Sequence, residues 1–399
     1  MIEDLDIVCV SSLDWDAHWT SKQQIMHRLG RSNRILYVEE PVTMLTPFKI
    51  PHRWRRWGAL VPRLRQVDGS VWILTPPPLL PFGNARASMN QVNQAVLARY
   101  VRWALRRLSF SDACVIWTYL PATVWLLDHL VSQGGVEPSL VVYHCVDEHS
   151  AFPGYFMSPD LVREYDDELT RRADLVITTS ENLRRSREGH NPRTYTVMNA
   201  ADVGLFNRAL DPDLPLPSDL EAIPPPRLGV VGVHDYRLDI DALERLVATD
   251  PSWQVVLVGP LKTGQIDEGR LRELPRVHLL GAKPRVKLPS YIKGFAVALI
   301  PYRPSELTRN IFPLKLFEYL AAGVPVVAGG LPELSRFADT IGLAAGLKDY
   351  PELVRGQMEG DGPNVRAARV ALAAENSWEH RVVEISGLVM AALDRKRGR

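Results

Sequence analysis

The stretch "TRNIFPLKLFEYLAAGVPVVAGG", residues 308–330, predicts a short helix followed by a buried strand. Proline is favoured in the first turn of a helix and excludes the residue before it from the helical region, so we expect a helix that starts at Pro313. Gly323 is a typical C-terminal stop, and the apolar run after Pro325 has the length of a strand. Lys315 and Glu318 are three residues apart and therefore share a face of this helix.

That helix face combines a cation, a carboxylate and the amide N–H groups of a helix N-terminus, which attract anions. The set suits a phosphorylated sugar, because the cation and the N–H groups bind phosphate while a carboxylate accepts hydrogen bonds from hydroxyl groups. An ordinary surface ion pair on a helix explains the same two residues equally well. The choice between the two interpretations depends on the rest of the chain.

Composition limits the class of protein. The chain has 399 residues, enough for two domains, and its 46% hydrophobic and 23% charged residues are typical of a globular protein. The net charge of +1 gives no reason to expect nucleic acid as a partner. The three cysteines show no CxxC spacing, so we expect neither a disulfide framework nor a metal site. The acidic N-terminal stretch and the lack of an apolar run of membrane-spanning length predict a cytoplasmic protein.

Strand-like apolar runs alternate with helical patterns in both halves of the chain. This order is typical of the α/β class, in which a parallel sheet carries helices on both faces. Residues 209–227 contain six prolines and no periodic pattern, which indicates a linker. We therefore predict an N-terminal domain at 1–206, a proline-rich linker at 207–227, a second domain at 228–375 and an amphipathic helix at 376–399.

In open parallel sheets, ligands bind beyond the carboxyl ends of the strands. Polar side chains follow several of the predicted strands, and these are the first candidates for a site. No GxGxxG follows the first strand, and the chain contains neither GxxxxGK[ST] nor GxSxG. Dinucleotide cofactors, P-loop nucleotide chemistry and serine-hydrolase chemistry are therefore disfavoured.

Several segments resemble the retaining GT-B glycosyltransferases of the family 4 type, and in particular a bacterial subgroup similar to teichuronic-acid and exopolysaccharide transferases. The most specific segment is "FPLKLFEYLAAGVPVVAGGLPEL" at 312–334, and "VVYHCVDEHSAFPG", "RRADLVITTSENL" and "VVGVHDYRLDIDAL" agree in order. The resemblance implies two doubly wound Rossmann-like domains whose sheets face each other across a cleft. It also implies that the C-terminal helix crosses back to the first domain.

The resemblance assigns the second domain to a nucleotide sugar. Glu318 matches the glutamate that binds the ribose hydroxyls, whereas Asn310 occupies the place of a second glutamate, a role that Glu306 could take. Arg237, Lys315 and Arg309 would share the diphosphate. The resemblance implies no metal and no cofactor, with a UDP- or GDP-linked sugar as co-substrate. The full set of donor-binding candidates is Gly232, Arg237, Lys283, Glu306, Arg309, Asn310, Leu314, Lys315 and Glu318.

The first domain is expected to bind the acceptor. Asp147 could orient or deprotonate an acceptor hydroxyl, although a turn residue after a strand is as good an explanation. His144 is the second catalytic candidate, and a core histidine that closes the strand is its alternative. Where the family has a glycine-rich first loop, this chain has "SSLDWDAHW". The acceptor-binding candidates are Asp14, Trp15, Asp16 and Ser180.

Residues 48–65, "FKIPHRWRRWGALVPRLR", contain six lysine and arginine residues and no acidic residue. Basic residues mixed with tryptophans suit an anionic membrane surface, which predicts peripheral attachment at the inner face of the cell membrane. A solvated loop with packed tryptophans is the alternative.

The function expected from these observations is a retaining, metal-independent glycosyltransferase. It would move a sugar from a nucleotide-diphosphate sugar to a glycan or lipid-linked acceptor in envelope polysaccharide or exopolysaccharide synthesis. A non-hydrolysing nucleotide-sugar epimerase is the alternative enzyme. A catalytically silent nucleotide-sugar-binding protein is the alternative outside enzymes, suggested by Asn310.

Overall fold

The computed structural model describes residues 1–46, 62–152 and 157–398. The chain divides into two compact units, each with a sheet of its own. Unit 1 consists of residues 1–198 and 381–399, and unit 2 consists of residues 199–380.

The sheet of unit 1 has the strand order β3-β4-β2-β1-β5-β6-β7-β8. All neighbours are parallel except β3 and β4, which pair antiparallel at one edge. The central strands are mostly apolar and are buried along nearly their whole length, because helices cover both faces of the sheet. The strands are β1 Asp6–Val10, β2 Arg34–Val38, β3 Arg63–Asp68, β4 Val71–Thr75, β5 Val115–Thr118, β6 Leu140–Cys145, β7 Leu175–Thr178 and β8 Thr194–Thr196.

The longest helix of unit 1 buries one apolar face. It has Leu97, Val101 and Leu105 in the same core as the sheet residues Val8 and Leu36. Its opposite face is exposed and carries arginines. The helices are α1 Ser21–Leu29, α2 Ala87–Leu108, α3 Leu126–Gly134, α4 Pro159–Arg172 and α5 Glu181–Glu188.

Unit 2 contains a six-stranded, fully parallel sheet with the order β11-β10-β9-β12-β13-β14. The strands are β9 Arg227–Val231, β10 Gln254–Val258, β11 Val277–Gly281, β12 Val297–Pro301, β13 Val326–Gly329 and β14 Gly342–Ala344. The helices, of which the last continues into unit 1, are α6 Val203–Phe206, α7 Ser218–Glu221, α8 Ile240–Thr249, α9 Glu268–Glu273, α10 Leu288–Lys293, α11 Glu306–Arg309, α12 Lys315–Ala321, α13 Tyr350–Glu359, α14 Pro363–Glu375 and α15 Trp378–Lys396.

The proline-rich residues 207–227 belong to unit 2 and hold to its helices by polar contacts. Lys293 Nζ donates to three of their carbonyl oxygens, at 2.7–2.8 Å. Asp219 binds Lys283 at 2.7 Å and the hydroxyl of Tyr291 at 2.9 Å. The prolines of this segment therefore interrupt regular structure without separating it from the fold around it.

Most of the C-terminal helix α15, from Arg381 onward, belongs to unit 1. Lys396 Nζ lies 2.7 Å from Asp174 Oδ2, and Arg381 donates to the carbonyl oxygen of Met198 at 3.0 Å. Val382, Ile385 and Val389 are buried at a spacing that places them on one side of the helix. None of the described helices is both long enough and apolar enough to cross a membrane.

Candidate functional site

In unit 2 the strand order reverses at β9: strands β10 and β11 are added on one side of it, and strands β12, β13 and β14 on the other. In open parallel sheets, ligands bind beyond the carboxyl ends of the strands at such a point. The loop after β9 and the loop after β12 are tied together, because Arg303 N donates to Arg237 O at 2.8 Å and Asp239 N donates to Pro301 O at 2.8 Å. The predicted donor site therefore includes a pair of loops that are hydrogen-bonded to each other.

Gly232 is the first residue after β9 and has a φ of +143°. A Cβ atom added there would lie 3.7 Å from Cε of Lys315, so the lysine side chain passes over the bare backbone of the loop. Gly259, after the neighbouring strand β10, has a φ of +148°. A Cβ atom at Gly259 would lie 1.7 Å from the carbonyl oxygen of Gly232, so only glycine permits this approach of the two loops.

Helix α12 is fixed against the same loop. The hydroxyl of Tyr319 accepts a hydrogen bond of 2.8 Å from the backbone N–H of Val231, and Tyr319 is fully buried. This contact sets the rotation of the helix so that Lys315 lies over Gly232, with Glu318 bound to Lys315. Lys315 Nζ is 2.5 Å from Glu318 Oε2, and the two side chains are 23% and 9% exposed. The structure thus pairs a mostly buried carboxylate with a cation at the end of β9.

The start of this helix differs from the prediction. The sequence predicted a helix from Pro313, whereas α12 begins at Lys315 with Leu314 as its N-cap residue. Pro313 lies before the helix, and Asn199 Nδ2 donates to the carbonyl oxygen of Phe312 at 2.7 Å. Gly323 follows the helix with a φ of +73°, the left-handed conformation expected of a glycine stop.

Arg237, a predicted phosphate ligand, already has a carboxylate partner. Its guanidinium donates to both oxygens of Asp235, at 2.8 and 2.7 Å, and lies 5.7 Å from the ring centre of Tyr302. The pair is electrically balanced, so Arg237 would contribute hydrogen bonds to a diphosphate more than net charge. Lys315 is likewise paired, so the loop after β9 and helix α12 each contain one ion pair.

The remaining donor candidates lie on two other loops. Glu306 and Arg309 are exposed on the short helix α11 after β12, and Asn310 Nδ2 donates back to the carbonyl oxygen of Glu306 at 2.9 Å. Lys283 follows β11 at the edge of the sheet, where it pairs with Asp219. The structure therefore groups Gly232, Lys315 and Glu318 closely and places Lys283 in a separate ion pair.

His234 is a residue of the β9 loop that the sequence did not single out. It is 2% exposed, and its Nε2 has no hydrogen-bond partner among the described residues. Burial lowers its pKa to about 4, so the ring is neutral near pH 7. The burial of His234 would have been hard to foresee from "GVHDYR", because its backbone is hydrogen-bonded to Pro260 and Lys262 of another loop.

In unit 1 the corresponding reversal lies at β1, between β2 and β5. Of the predicted acceptor residues in the loop after β1, Trp15 is buried against Tyr37 and Trp19. Asp16 is exposed and binds Arg65 at 2.6 Å, and the carbonyl oxygen of Asp14 accepts from Gln23 at 3.0 Å. The loop is thus held by its own contacts, with Trp15 as its packing residue.

The catalytic candidates lie at the end of β6. His144 is 1% exposed and stacks on the ring of Tyr119 with ring centres 4.8 Å apart. Burial lowers the pKa of His144 to about 3, so the ring stays neutral at ordinary pH. Asp147, two residues beyond the strand, is half-buried. Ser180 is the N-cap of α5, and its Oγ accepts from Leu183 N at 3.3 Å.

A buried ion triad supports the segment that carries Asp147. Arg187, 2% exposed, binds Glu148 at 3.2 Å and also binds Asp166, which accepts a hydrogen bond from the hydroxyl of Tyr143. Burial of Glu148 would raise its pKa, but Arg187 and the hydrogen bonds to it lower the pKa overall. The carboxylate next to Asp147 therefore stays ionised and anchored.

The sequence analysis also missed Lys22, which lies in the first turn of α1 and is 5% exposed. Its ammonium nitrogen is 5.3 Å from the ring centre of Tyr119. A cation in the first turn of a helix interacts unfavourably with the helix dipole, and this was the feature of the sequence that could have drawn attention to Lys22.

Within the described residues, no group of three or more His, Cys, Asp or Glu side chains could hold a metal ion.

Comparison with known families places a match on unit 2. Residues 226–355, which include the loop after β9 and all of α12, match the family described as "Glycosyl transferases group 1". Residues 226–355 form a glycosyl transferases group 1 domain. This range contains every donor-binding candidate of the sequence analysis.

A curated relative agrees with that match. The chain is 30% identical over 174 residues to "Putative teichuronic acid biosynthesis glycosyltransferase TuaH" of Bacillus subtilis (strain 168). The alignment covers 42% of this chain and 43% of the relative, so it spans less than half the length of that protein.

Solved structures match the whole chain. A trehalose-6-phosphate structure from E. coli "bound with UDP-2-fluoro glucose" superposes with a TM-score of 0.68 at 13% identity, covering 96% of this chain and 98% of that one. A trehalose-6-phosphate synthase studied for "glycosyltransfer with retention" gives a TM-score of 0.68 at 15% identity, over 96% and 99% of the chains. At such identities the likeness shows the fold alone, and that fold is GT-B, as predicted.

Proposed function

We propose that this chain is a retaining glycosyltransferase that moves a sugar from a nucleotide-diphosphate sugar to a hydroxyl acceptor. The acceptor is a glycan or a lipid-linked saccharide in the synthesis of an envelope or exported polysaccharide. The observation that carries the proposal is the Lys315–Glu318 pair, held beside Gly232 in the group 1 domain. The other support is the match to a teichuronic acid biosynthesis transferase and the retention named for a structural neighbour.

The chemistry of unit 2 suits the donor. A departing nucleoside diphosphate carries growing negative charge, which preorganised cations stabilise without reorganisation. Lys315 and Arg237 would supply this stabilisation, and Glu318 would accept hydrogen bonds from the ribose hydroxyls. The open backbone at Gly232 leaves the diphosphate room to approach the loop. We propose this stabilisation without a metal ion.

Unit 1 would bind the acceptor. Asp147 is the candidate to orient the acceptor hydroxyl or take its proton, because it is half-buried beside an anchored segment. His144 is buried on the ring of Tyr119 and its pKa is lowered, so we assign the proton transfer to Asp147 and not to His144.

Donor turnover tests the proposal. UDP-, GDP- and ADP-sugars are first screened for the rise in unfolding temperature that a bound ligand causes. The best donor is then incubated with and without lipid-linked saccharides extracted from bacterial envelopes. Release of nucleoside diphosphate that depends on the extract, with the anomeric configuration kept in the product, is the expected result. An isomerised donor would indicate an epimerase, and binding without turnover would indicate a silent binding protein.

Membrane attachment is the second part of the proposal. Most of the basic segment 48–65 lies outside the described residues, but α2 offers a second basic surface. This helix contains no acidic residue, and Arg99, Arg102, Trp103, Arg106 and Arg107 line a shallow groove on its exposed side. Arg99, Arg106 and Arg107 form no ion pair with a described residue. Trp103 is 39% exposed between them, a combination that suits the headgroup layer of an anionic bilayer.

Replacing Arg99, Arg106 and Arg107 by Gln is expected to weaken binding to anionic vesicles at least tenfold. Each basic residue near such a surface contributes about 1 kcal/mol. Co-sedimentation with phosphatidylcholine vesicles, with and without phosphatidylglycerol, measures the effect at low and high salt. The control variant changes Arg163, Arg171 and Arg185, which are exposed in unit 1 and already paired with carboxylates. Equal sedimentation of the two variants would overturn membrane binding through α2.

A further inference from the structure

The carboxyl ends of β1, β5 and β6 meet around a buried lysine. Lys22 is 5% exposed, and its ammonium group lies 5.3 Å from the ring centre of Tyr119, the residue after β5. His144 of β6 stacks on the same ring. This is the point of unit 1 where the strand order reverses, and ligands bind at such points in open parallel sheets.

Lys22 is placed against its own electrostatic preference. It occupies the first turn of α1, where the positive end of the helix dipole disfavours a cation. Burial lowers its pKa, and the carboxylates of Asp147 and Glu40 oppose that effect from a distance. No hydrogen bond or ion pair of its ammonium group involves a described residue. A buried cation without such a partner is costly, and a structure normally supplies one.

Two polar atoms near Lys22 also lack a hydrogen-bond partner of normal geometry among the described residues. The hydroxyl of Tyr119 and Nδ1 of His144 are fully buried, and neither forms a hydrogen bond of normal geometry with a described residue. Buried polar atoms in folded proteins are nearly always paired, and exceptions point to a water or ligand that completes them. A hydroxyl, an imidazole and an ammonium together can donate several hydrogen bonds, with one net positive charge. Such a set is complementary to an acid group.

We propose that Lys22, with Tyr119 and His144 beside it, binds the acid group of an anionic acceptor, either the carboxylate of a uronic acid or the phosphate of a phosphorylated sugar. The inference rests on the proposed function, since it names the class of acceptor for unit 1. It goes beyond that function because a neutral saccharide would leave Lys22 unpaired. The carboxylate and the phosphate both present a cluster of negatively charged oxygen atoms, and the experiment below distinguishes the two ligands.

Binding to the full chain is measured with sodium glucuronate and with glucose 6-phosphate, each compared with glucose at equal ionic strength. Titration calorimetry or ligand-observed NMR detects affinities in the millimolar range. The wild type is expected to bind at least one of the acids at least tenfold more tightly than glucose. Preference for glucuronate identifies a carboxylate site, and preference for glucose 6-phosphate identifies a phosphate site.

Lys22→Met removes the charge while keeping an unbranched side chain, and is expected to reduce the affinity for the preferred acid at least tenfold with glucose binding unchanged. Tyr119→Phe keeps the stacked ring and removes only the hydroxyl, and serves as the second variant if Lys22→Met does not fold. Lys348→Met, at an exposed site in unit 2, is the matched control. The inference is overturned if no acid binds better than glucose, or if folded variants bind the acid as well as the wild type.

Titration of the same samples with the nucleotide sugar chosen by the donor screen separates this inference from the proposed function. Donor binding that persists while acid selectivity is absent rejects only the acidic acceptor. Absence of donor binding and turnover in the wild type would reject the glycosyltransferase itself, whatever the acids do.

Discussion

Replacing Arg187 by Met is expected to lower the free energy of unfolding by about 3–5 kcal/mol, the cost of removing one partner from a buried ion pair. Arg187 is 2% exposed and is the cation between Glu148 and Asp166, whose side chains are 15% and 8% exposed. Methionine fills a similar volume but leaves two carboxylates without compensation. Burial already raises the pKa of Asp166, and Arg187 is the strongest influence against that rise.

Urea unfolding at pH 7, followed by circular dichroism, measures the loss. The control is Arg163→Met, because Arg163 forms an ion pair with Asp160 on α4 in which both side chains are more than half exposed. An exposed pair contributes about 0–1 kcal/mol, so the control should unfold close to the wild type. A loss for Arg187→Met as small as for the control would show that the triad does not hold unit 1 together.

The pH dependence of the difference has a definite sign. In Arg187→Met the two buried carboxylates regain stability by taking up protons, so the deficit relative to the wild type should shrink as the pH falls toward 5. Glu148 is the informative member, because its pKa in the wild type is lowered and its protonation there would cost stability. The triad flanks Asp147, so we expect Arg187→Met to disorder that segment and thereby to lower the activity.

The central strands were predictable because parallel strands covered on both faces are continuous apolar runs. "RLGVV" and "QVVLV" are buried along their full length and are examples of the strand-like apolar runs on which the α/β prediction rests. Strand β3 was not predictable in this way, because four of its six residues are exposed and it carries Arg63 and Arg65. An edge strand buries too little surface to need an apolar sequence, and charged residues there protect the edge.

The parts of the candidate donor site that are formed by residues close together in the sequence were predictable. Lys315 and Glu318 are three residues apart on one helix, so their pairing follows from helix geometry alone. The contact of Gly259 with Gly232 was not visible, because it joins loops after two different strands. Lys22, Tyr119 and His144 are likewise separated by many residues and meet only through the strand order. That order depends on the packing of the whole sheet and is not written in any short motif.

Glu318→Ala is expected to weaken the binding of nucleoside diphosphate by about 1.5–3 kcal/mol, the range for a hydrogen bond to a charged group, which is about a 10- to 150-fold loss of affinity. The carboxylate is 9% exposed, and Lys315 occupies Oε2. No described residue donates a hydrogen bond to Oε1, which is therefore available to ribose hydroxyls. The bases differ between donors, so UDP and uridine are used if the donor screen selects UDP, and GDP and guanosine if it selects GDP.

The free nucleoside gives the decisive measurement, because Glu318→Ala also releases Lys315 from its partner. A released lysine would bind the diphosphate more strongly and partly conceal the loss, whereas a nucleoside has no phosphate to benefit. We therefore expect Glu318→Ala to weaken the nucleoside at least as much as the diphosphate. Lys315→Met should weaken the diphosphate and leave the nucleoside nearly unchanged. Glu352→Gln, at an exposed position in the first turn of α13, controls for the loss of one negative charge from unit 2. If folded Glu318→Ala binds the nucleoside as well as the wild type does, Glu318 does not contact the ribose, and the Lys315–Glu318 pair belongs to the stability of α12.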